Sequence, residues 1–283
     1  MKKKIYGALL VLCLLTFSNI SVQAANPKTA TLKEGKTYTQ YDITGDKKPD
    51  KFKITVKRDS RFKNITGFQL FVNGKNIYTE NKGGLYAEDF IAKLLTVENK
   101  PFLFIEQVGE NEMTSYCRIF QYREKTMKSI VDFAGRYKKS PFIMTPYHTA
   151  VEDIRVSGNK IIAKYHGMNY SLGVIRWNVI YRYKNGTLIN ESNTNNLVYS
   201  QYGPVSNTWK AARTIKIYKT KNVDSGVCFT IYEGDTVKIT KMYCKGINTW
   251  FFVQKGNKSG WMKSAMKQPP YADYYFYGAY YAG

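Results

Sequence analysis

Histidine, cysteine and acidic residues are scarce in this chain. Its 283 residues include two His and four Cys, and 21 Asp and Glu stand against 43 Lys and Arg, for a formal net charge of +22. One cysteine, Cys13, lies in the N-terminal leader described below. A zinc site of three imidazoles or of four thiolates therefore cannot be assembled. The Asp-Cys-Ser-Gly and Gly-x-Ser-x-Gly elements that position catalytic cysteines and serines are absent too.

Long apolar runs are also rare, and the one that is present lies at the N-terminus. Three lysines precede an apolar stretch from Ile5 to Phe17, and small residues lead to Ala24. This order is typical of a secretory leader, so we predict a signal peptide over residues 1–24 that is cleaved after Ala24. No second long apolar stretch follows. We therefore expect a secreted, extracellular protein with no transmembrane anchor after leader removal, associated with the cell envelope.

The remaining sequence follows a period of two. β-Branched and aromatic residues alternate with polar ones and are interrupted by turn residues. Asn73-Gly74, Ser157-Gly158-Asn159 and Asn185-Gly186 each separate two strand-like runs, which predicts three antiparallel hairpins. Only residues 85–95 have helical spacing, and they predict a short helix. The predicted class is mainly β.

We predict two β domains and a tail. Residues 25–207 form an antiparallel β domain, either a meander, a sandwich or a propeller-like fold. The stretch before residue 207 is rich in Ser, Gly, Pro and Asn, which is typical of a domain boundary. Residues 208–266 contain about five strands in a short length, for which a small, partly closed barrel is the expected solution. Residues 267–283 form a Tyr-rich C-terminal tail that either docks on the folded body or offers a stacking surface.

The C-terminal strands carry a recognisable order of turn and aromatic elements. Gly234-Asp235 is followed by alternating Val237 and Ile239, then by Trp250, then by Gly256 and the run Lys258-Ser259-Gly260-Trp261-Met262. In order and spacing this part, about a fifth of the chain, resembles the bacterial Src-homology-3-like domain. The resemblance implies a non-catalytic binding module of exported proteins, of the kind that targets cell-wall peptidoglycan.

Aromatic residues of this module are candidates for a ligand-binding groove. Tyr218, Tyr243 and Trp250 lie at strand ends or beside loops, so we predict that they form an exposed aromatic groove that offers rigid stacking area with a polar edge. Ordinary packing inside the barrel is the alternative for each. Trp261 of the Gly-Trp element is expected to be a core residue.

The three cysteines of the mature chain form an odd set. Cys228 and Cys244 lie in two strand-like runs of the same module, and a disulfide between them is a candidate pairing. Cys117 is flanked by apolar residues and is expected to be a small buried hydrophobe.

An Asp-rich loop precedes the strand that begins near residue 51. Asp42, Thr44, Asp46 and Asp50 supply oxygen atoms around Gly45, an arrangement that could hold Ca²⁺. The loop resembles those that open strands in secreted integrin-like and propeller-type repeat proteins. The alternative is a turn held by Asx hydrogen bonds. Calcium is thus the only candidate cofactor.

The charge and the motifs together predict a binding protein and no enzyme. An even positive field attracts polyanions, and outside the cell these are anionic envelope polymers and headgroups. We expect the partner to be the bacterial cell wall or another anionic envelope polymer, and no nucleic acid, since no nucleic-acid motif is present. Two alternatives stay open: a cell-wall-modifying hydrolase with carboxylates such as Glu106 and Glu110, and a calcium-dependent adhesion module.

Overall fold

The computed structural model describes residues 26–84, 86–109, 114–142, 150–198, 207–267 and 274–279. The predicted mainly β class is confirmed, because the elements in these ranges are strands apart from one helical turn, α1 (Phe133–Arg136). The first strands are β1 (Thr29–Leu32), β2 (Thr37–Tyr41), β3 (Asp50–Arg58), β4 (Ile65–Val72), β5 (Lys75–Glu80), β6 (Ala87–Val97), β7 (Lys100–Gly109), β8 (Thr114–Arg123) and β9 (Thr126–Asp132). The later strands are β10 (Ala150–Ser157), β11 (Lys160–Asn169), β12 (Gly173–Lys184), β13 (Thr187–Asn190), β14 (Thr194–Val198), β15 (Thr208–Ala211), β16 (Ile215–Thr220), β17 (Asn222–Ile231), β18 (Thr236–Lys245), β19 (Asn248–Lys255), β20 (Lys258–Lys263) and β21 (Phe276–Tyr277).

These strands form three antiparallel sheets. The first has the order β2-β3-β4-β5, and the second has the order β1-β6-β7-β8-β9. The third follows the path β10-β11-β12-β14-β18-β19-β20-β16-β17, with β13 paired to β12, β15 to β18 and β21 to β15. Most neighbours in a sheet are also neighbours in the chain, so hairpins account for much of the topology.

The three predicted hairpins are confirmed. Asn73-Gly74 joins β4 to β5, and Asn185-Gly186 joins β12 to β13. In both turns the Asn and the Gly have φ values of 51° and 79°, the left-handed region that Asn and Gly tolerate best. Gly158, with φ 58°, joins β10 to β11.

The five-stranded sheet lies between two hydrophobic cores. In β6, Leu94 packs into a core shared with the four-stranded sheet, whereas Leu95 packs into a core shared with the large sheet. In β7, Leu103 and Phe104 are divided between the same two cores. The three sheets therefore stack as layers, with the five-stranded sheet in the middle.

The predicted helix at residues 85–95 is wrong. Leu85 lies outside the described residues, and from Ala87 onward the segment is strand β6, paired with β1 and β7. Both faces of β6 are packed, so apolar residues occur on both and the period of two is lost from its sequence. The spacing of the apolar residues in this segment matched that of a helix by chance.

The C-terminal strands join the rest of the molecule and do not form a closed barrel. In the described part of the chain, β17 ends the strand order and β18 continues into β14. β14 pairs with β18 through Asn195 opposite Met242, and with β12 through Leu197 opposite Trp177. Backbone hydrogen bonding thus continues across the predicted boundary at residue 207. Side chains add to it, since Asn169 Nδ2 donates to Ser264 Oγ at 3.1 Å.

Part of the Tyr-rich tail packs on the folded body, the first of the two alternatives given above. β21 pairs with β15, and Phe276 is 1% exposed with its ring 5.6 Å from that of Trp209. The backbone N–H of Ala212 also donates to the carbonyl of Tyr275 at 3.0 Å. The predicted leader and most of the predicted boundary stretch lie outside the described residues. Among the residues that are described, no helix is long and apolar enough to cross a membrane.

Candidate binding face on the C-terminal strands

One face of the C-terminal strands carries aromatic and lysine side chains. In β19, Phe251 and Val253 point into the core, so Trp250 and Phe252 lie on the opposite face. In β20, Met262 is buried in the core and Trp261 faces the other way. Alternation along neighbouring strands therefore gathers large rings on one surface. We call this surface the aromatic-lysine face and define it by the residues Tyr218, Lys221, Lys241, Tyr243, Trp250, Phe252, Trp261 and Lys263.

The strand register places these residues in two rows. One row runs across β18, β19, β20 and β16, and its members in order are Lys241, Phe252, Trp261 and Tyr218. The second row runs across β18, β19 and β20, and its members are Tyr243, Trp250 and Lys263. The rings of Phe252 and Trp261 are 5.2 Å apart, and those of Tyr218 and Trp250 are 6.0 Å apart in an edge-to-face arrangement. Such contacts stabilise the face and limit ring motion.

Lysine ammonium groups lie over the rings. Lys221 Nζ is 4.5 Å from the ring centre of Trp261 and 5.1 Å from that of Tyr243. Lys241 Nζ is 5.6 Å from Phe252, and Lys263 Nζ is 6.0 Å from Trp250. These distances are within the range of cation-π attraction. The three lysines are exposed, so the face presents positive charge to solvent.

The four strands that form the face contain no acidic residue. β16, β18, β19 and β20 together carry eight lysines and neither Asp nor Glu. Two acidic residues of the turn before β18 already have partners. Asp235 forms an ion pair with Lys255, and Glu233 accepts a hydrogen bond from the Tyr277 hydroxyl. The positive potential of the face is therefore not neutralised from within it.

The structure brings the three predicted groove residues together but changes their exposure. Tyr243 lies opposite Trp250 in the neighbouring strand, and the ring of Tyr218 contacts the ring of Trp250. The three residues are therefore close enough to belong to one site. The predicted exposure of Trp250 is wrong: this residue is 3% exposed, because its neighbours cover the ring. Trp261, predicted to be a core residue, is instead partly exposed on the same face. Phe252 and the lysines were missed, because the apolar run from Trp250 to Val253 does not show which of its residues point outward.

Gly260 allows β20 to approach β16 closely beneath the face. A Cβ atom at this position would lie 2.7 Å from both Ile217 Cγ2 and the carbonyl oxygen of Tyr218. The Gly of the Gly-Trp element is thus required by packing. We expect Gly260→Ala to lower the free energy of unfolding by about 2 kcal/mol in a urea titration, since overpacking of a tight contact forces backbone shifts.

The adjacent Ser259 provides the control for this substitution. It lies in the same strand but is exposed, so Ser259→Ala should change the free energy of unfolding by less than about 0.5 kcal/mol. Equal stability of Gly260→Ala and the unaltered protein would show that the close approach of β20 to β16 is not maintained in solution.

The Asp-rich loop is a turn held by Asx hydrogen bonds, the alternative left open above. The Asp42 carboxylate accepts from the backbone N–H groups of Gly45 and Lys47, at 2.5 and 2.8 Å. Asp50 Oδ2 accepts from the backbone of Ile43 at 2.8 Å, and from the backbone and hydroxyl of Thr44 at 2.9 and 3.1 Å. Asp46 is exposed and accepts from the backbone of Lys48.

The geometry gives the predicted calcium site no support. The carboxylates of Asp42 and Asp50 are already occupied by N–H and O–H donors. Within the described ranges, no group of three or more His, Cys, Asp or Glu residues is placed to hold a metal ion.

The candidate disulfide between Cys228 and Cys244 is wrong. Both are free thiols, because β17 and β18 are separated in the sheet by β16, β20 and β19. Cys228 is exposed, whereas Cys244 is buried with its Sγ 3.1 Å from Ser140 Oγ. Cys117 is a buried free thiol as expected, and burial raises its pKa well above the ordinary value.

Glu106, a residue of the hydrolase alternative, is buried in the middle layer. It is 3% exposed, lies opposite Cys117 and accepts from the Thr114 hydroxyl at 3.2 Å. Desolvation raises the pKa of its carboxyl to about 7. In this position the carboxyl has no access to a polymeric substrate. Glu110, the other residue named for that alternative, lies outside the described residues.

Comparison with known proteins identified no relative of this chain. No protein-family model matches the chain, and neither the curated proteins nor the solved structures include a match.

Proposed function

We propose that this chain is a secreted, non-catalytic binding protein of the bacterial cell envelope. Its aromatic-lysine face would contact cell-wall peptidoglycan or another envelope ligand. The observation that carries the proposal is the face itself: five aromatic rings and two lysines on four strands that contain no acidic residue, with Lys221 of the β16–β17 turn over two of the rings. The leader-like N-terminal sequence and the resemblance of the C-terminal strands to bacterial Src-homology-3-like domains favour the same function.

A binding role suits the way the face is built. Its residues lie on strands whose other side packs into the large core, so the contact surface is held in place before a ligand arrives. A surface that is ordered in advance loses less entropy on binding. Aromatic rings beside exposed cations also offer both apolar area and charge to a glycan or polymer.

The test is sedimentation of the purified mature chain with isolated bacterial walls. Full-length protein is used, because β14 joins the C-terminal strands to β12 and a truncation near residue 207 would break that pairing. We expect the unaltered chain to sediment with walls at low salt. Trp261→Ala should weaken the apparent affinity about five- to tenfold, since it removes both the ring over which Lys221 lies and apolar area at the centre of the face.

Phe62→Ala is the matched control. Phe62 is an exposed aromatic beside Arg61, at 61% exposure, and it lies in the β3–β4 connection away from the face. This variant should sediment as the unaltered chain does. A chain that stays in solution with walls at low salt contradicts the proposal, and so does a Trp261→Ala variant that keeps its circular dichroism spectrum and its full affinity.

A further inference from the structure

We infer that the ligand of the aromatic-lysine face is a polymer of repeating anionic groups, read by lysine charge rather than by stacking of neutral sugars on the rings. This inference rests on the proposed function and specifies its ligand. It concerns the chemistry shared by phosphate-bearing and carboxylate-bearing polymers, and the test below separates these two sources.

Four of the five rings of the face, all except Tyr218, have a lysine ammonium group over them. Lys221 lies over both Trp261 and Tyr243, at 4.5 and 5.1 Å from their ring centres. A neutral sugar stacks on a free ring face, so it would have to displace these ammonium groups and lose their cation-π attraction. An anion loses nothing of the kind, because it can bind the same ammonium groups from the solvent side.

The rings instead hold the lysines in place. Lys241 over Phe252 and Lys263 over Trp250 repeat the arrangement on neighbouring strands. A lysine side chain whose ammonium group rests on a ring has fewer conformations to lose when it meets an anion. The aromatic residues are therefore positioning residues for charge, and the charge makes the contact.

The spacing of the lysines favours a polymer over a small anion. Lys241 is on β18 and Lys263 is on β20, and β19 lies between these strands. Two strand spacings separate their backbones by about 10 Å. A small anion that pairs with one lysine leaves charge on the others, whereas a chain with repeated charges can meet several lysines together. The four strands themselves carry no acidic residue that would repel such a chain.

Two wall preparations separate this inference from the proposed function. One is intact, and the other has its covalently attached anionic polymers removed while the peptidoglycan is kept. We expect the full-length chain to sediment with intact walls and to lose most of that binding on the stripped walls. Equal binding to both overturns the inference and leaves the proposed function standing. Failure to bind either preparation overturns the proposed function, and the soluble polymers below then decide the inference by themselves.

The soluble probes are a glycerol phosphate polymer, a polyuronate and neutral dextran of similar length, titrated against the change in tryptophan fluorescence. Binding to either anionic polymer with no binding to dextran supports the inference. The anionic polymer that binds more tightly shows whether phosphate or carboxylate groups are preferred. Affinity should fall with salt, with a slope of log K against log salt of about −2 to −3 for three lysine contacts. Equal binding to dextran, or a slope near zero, overturns the inference.

Lysine variants test the face directly. The triple change Lys221→Gln, Lys241→Gln and Lys263→Gln should weaken polymer binding about tenfold or more at low salt and flatten the salt dependence. The same three positions changed to Arg should keep the polymer affinity and its salt dependence, because the positive charge is retained. Lys57→Gln, at an exposed position of β3 on another sheet, should change affinity less than about twofold. Full affinity in the triple Gln variant overturns the inference.

Discussion

Asp50→Ala is expected to lower the free energy of unfolding by about 3 to 5 kcal/mol. Asp50 is 3% exposed, and its carboxylate accepts from the backbone of Ile43, the backbone and hydroxyl of Thr44, and the side chain of Asn73 at 2.8 Å. Alanine leaves the buried N–H of Ile43 and the partly buried donors of Thr44 and Asn73 without their shared partner. Each buried unpaired donor costs about 1 to 3 kcal/mol. Urea unfolding followed by circular dichroism measures the change.

Asp46→Ala is the matched control for this prediction. Asp46 lies in the same loop but is exposed, and its carboxylate accepts a hydrogen bond from the backbone N–H of Lys48 at 2.8 Å. Its loss should cost less than about 1 kcal/mol. The calcium alternative predicts something different: Asp46→Ala would be as damaging as Asp50→Ala, and millimolar Ca²⁺ would raise the thermal midpoint. Either of these results would contradict the hydrogen-bonded turn.

Glu106→Gln is expected to remove a pH-dependent loss of stability of about 3 kcal/mol. Burial raises the pKa of the Glu106 carboxyl from 4.5 to about 7 in the folded protein. Below pH 4.5 both the folded and the unfolded chain hold this proton. Between pH 4.5 and 7 the unfolded chain releases it first, so the free energy of unfolding falls as the pH rises. Glutamine stays neutral, and its gain over glutamate should therefore be larger at pH 8 than at pH 4.5.

The measurement is urea unfolding of both proteins at these two pH values. Glu88→Gln provides the control, because Glu88 is exposed on the neighbouring strand β6 and its replacement should give nearly the same change at both pH values. A Glu106→Gln effect that does not vary with pH would mean that the carboxyl has the same pKa in the folded and unfolded chains, which contradicts the effect of its burial.

The hairpins could be predicted because turn chemistry is local. Asn73-Gly74 and Asn185-Gly186 need positive φ at both positions, and few other residue pairs accept this backbone. The helix assigned to residues 85–95 failed for a reason that is not local. Leu94 and Leu95 in β6 face different cores, and nothing in the segment itself shows that a sheet will cover each side.

The sequence predicted that aromatic residues form the candidate site, but it did not predict which of their rings are exposed. Tyr218, Tyr243 and Trp250 meet on one face, but a run of four apolar residues from Trp250 to Val253 does not reveal which members point inward. The core contacts of Phe251 decide this, and they come from distant strands. The disulfide failed for a similar reason, because closeness of Cys228 and Cys244 in sequence does not give the order of strands between them.

β14 has a mechanical consequence for a molecule attached at its C-terminal strands. Its backbone is bonded to β12 on one side and to β18 on the other, and the buried contact between Asn169 and Ser264 crosses the same junction. A pull on the attached strands is therefore transmitted to the first half by several bonds loaded in parallel. If the chain binds the envelope through these strands, as proposed, its N-terminal sheets are held in a fixed orientation relative to that surface.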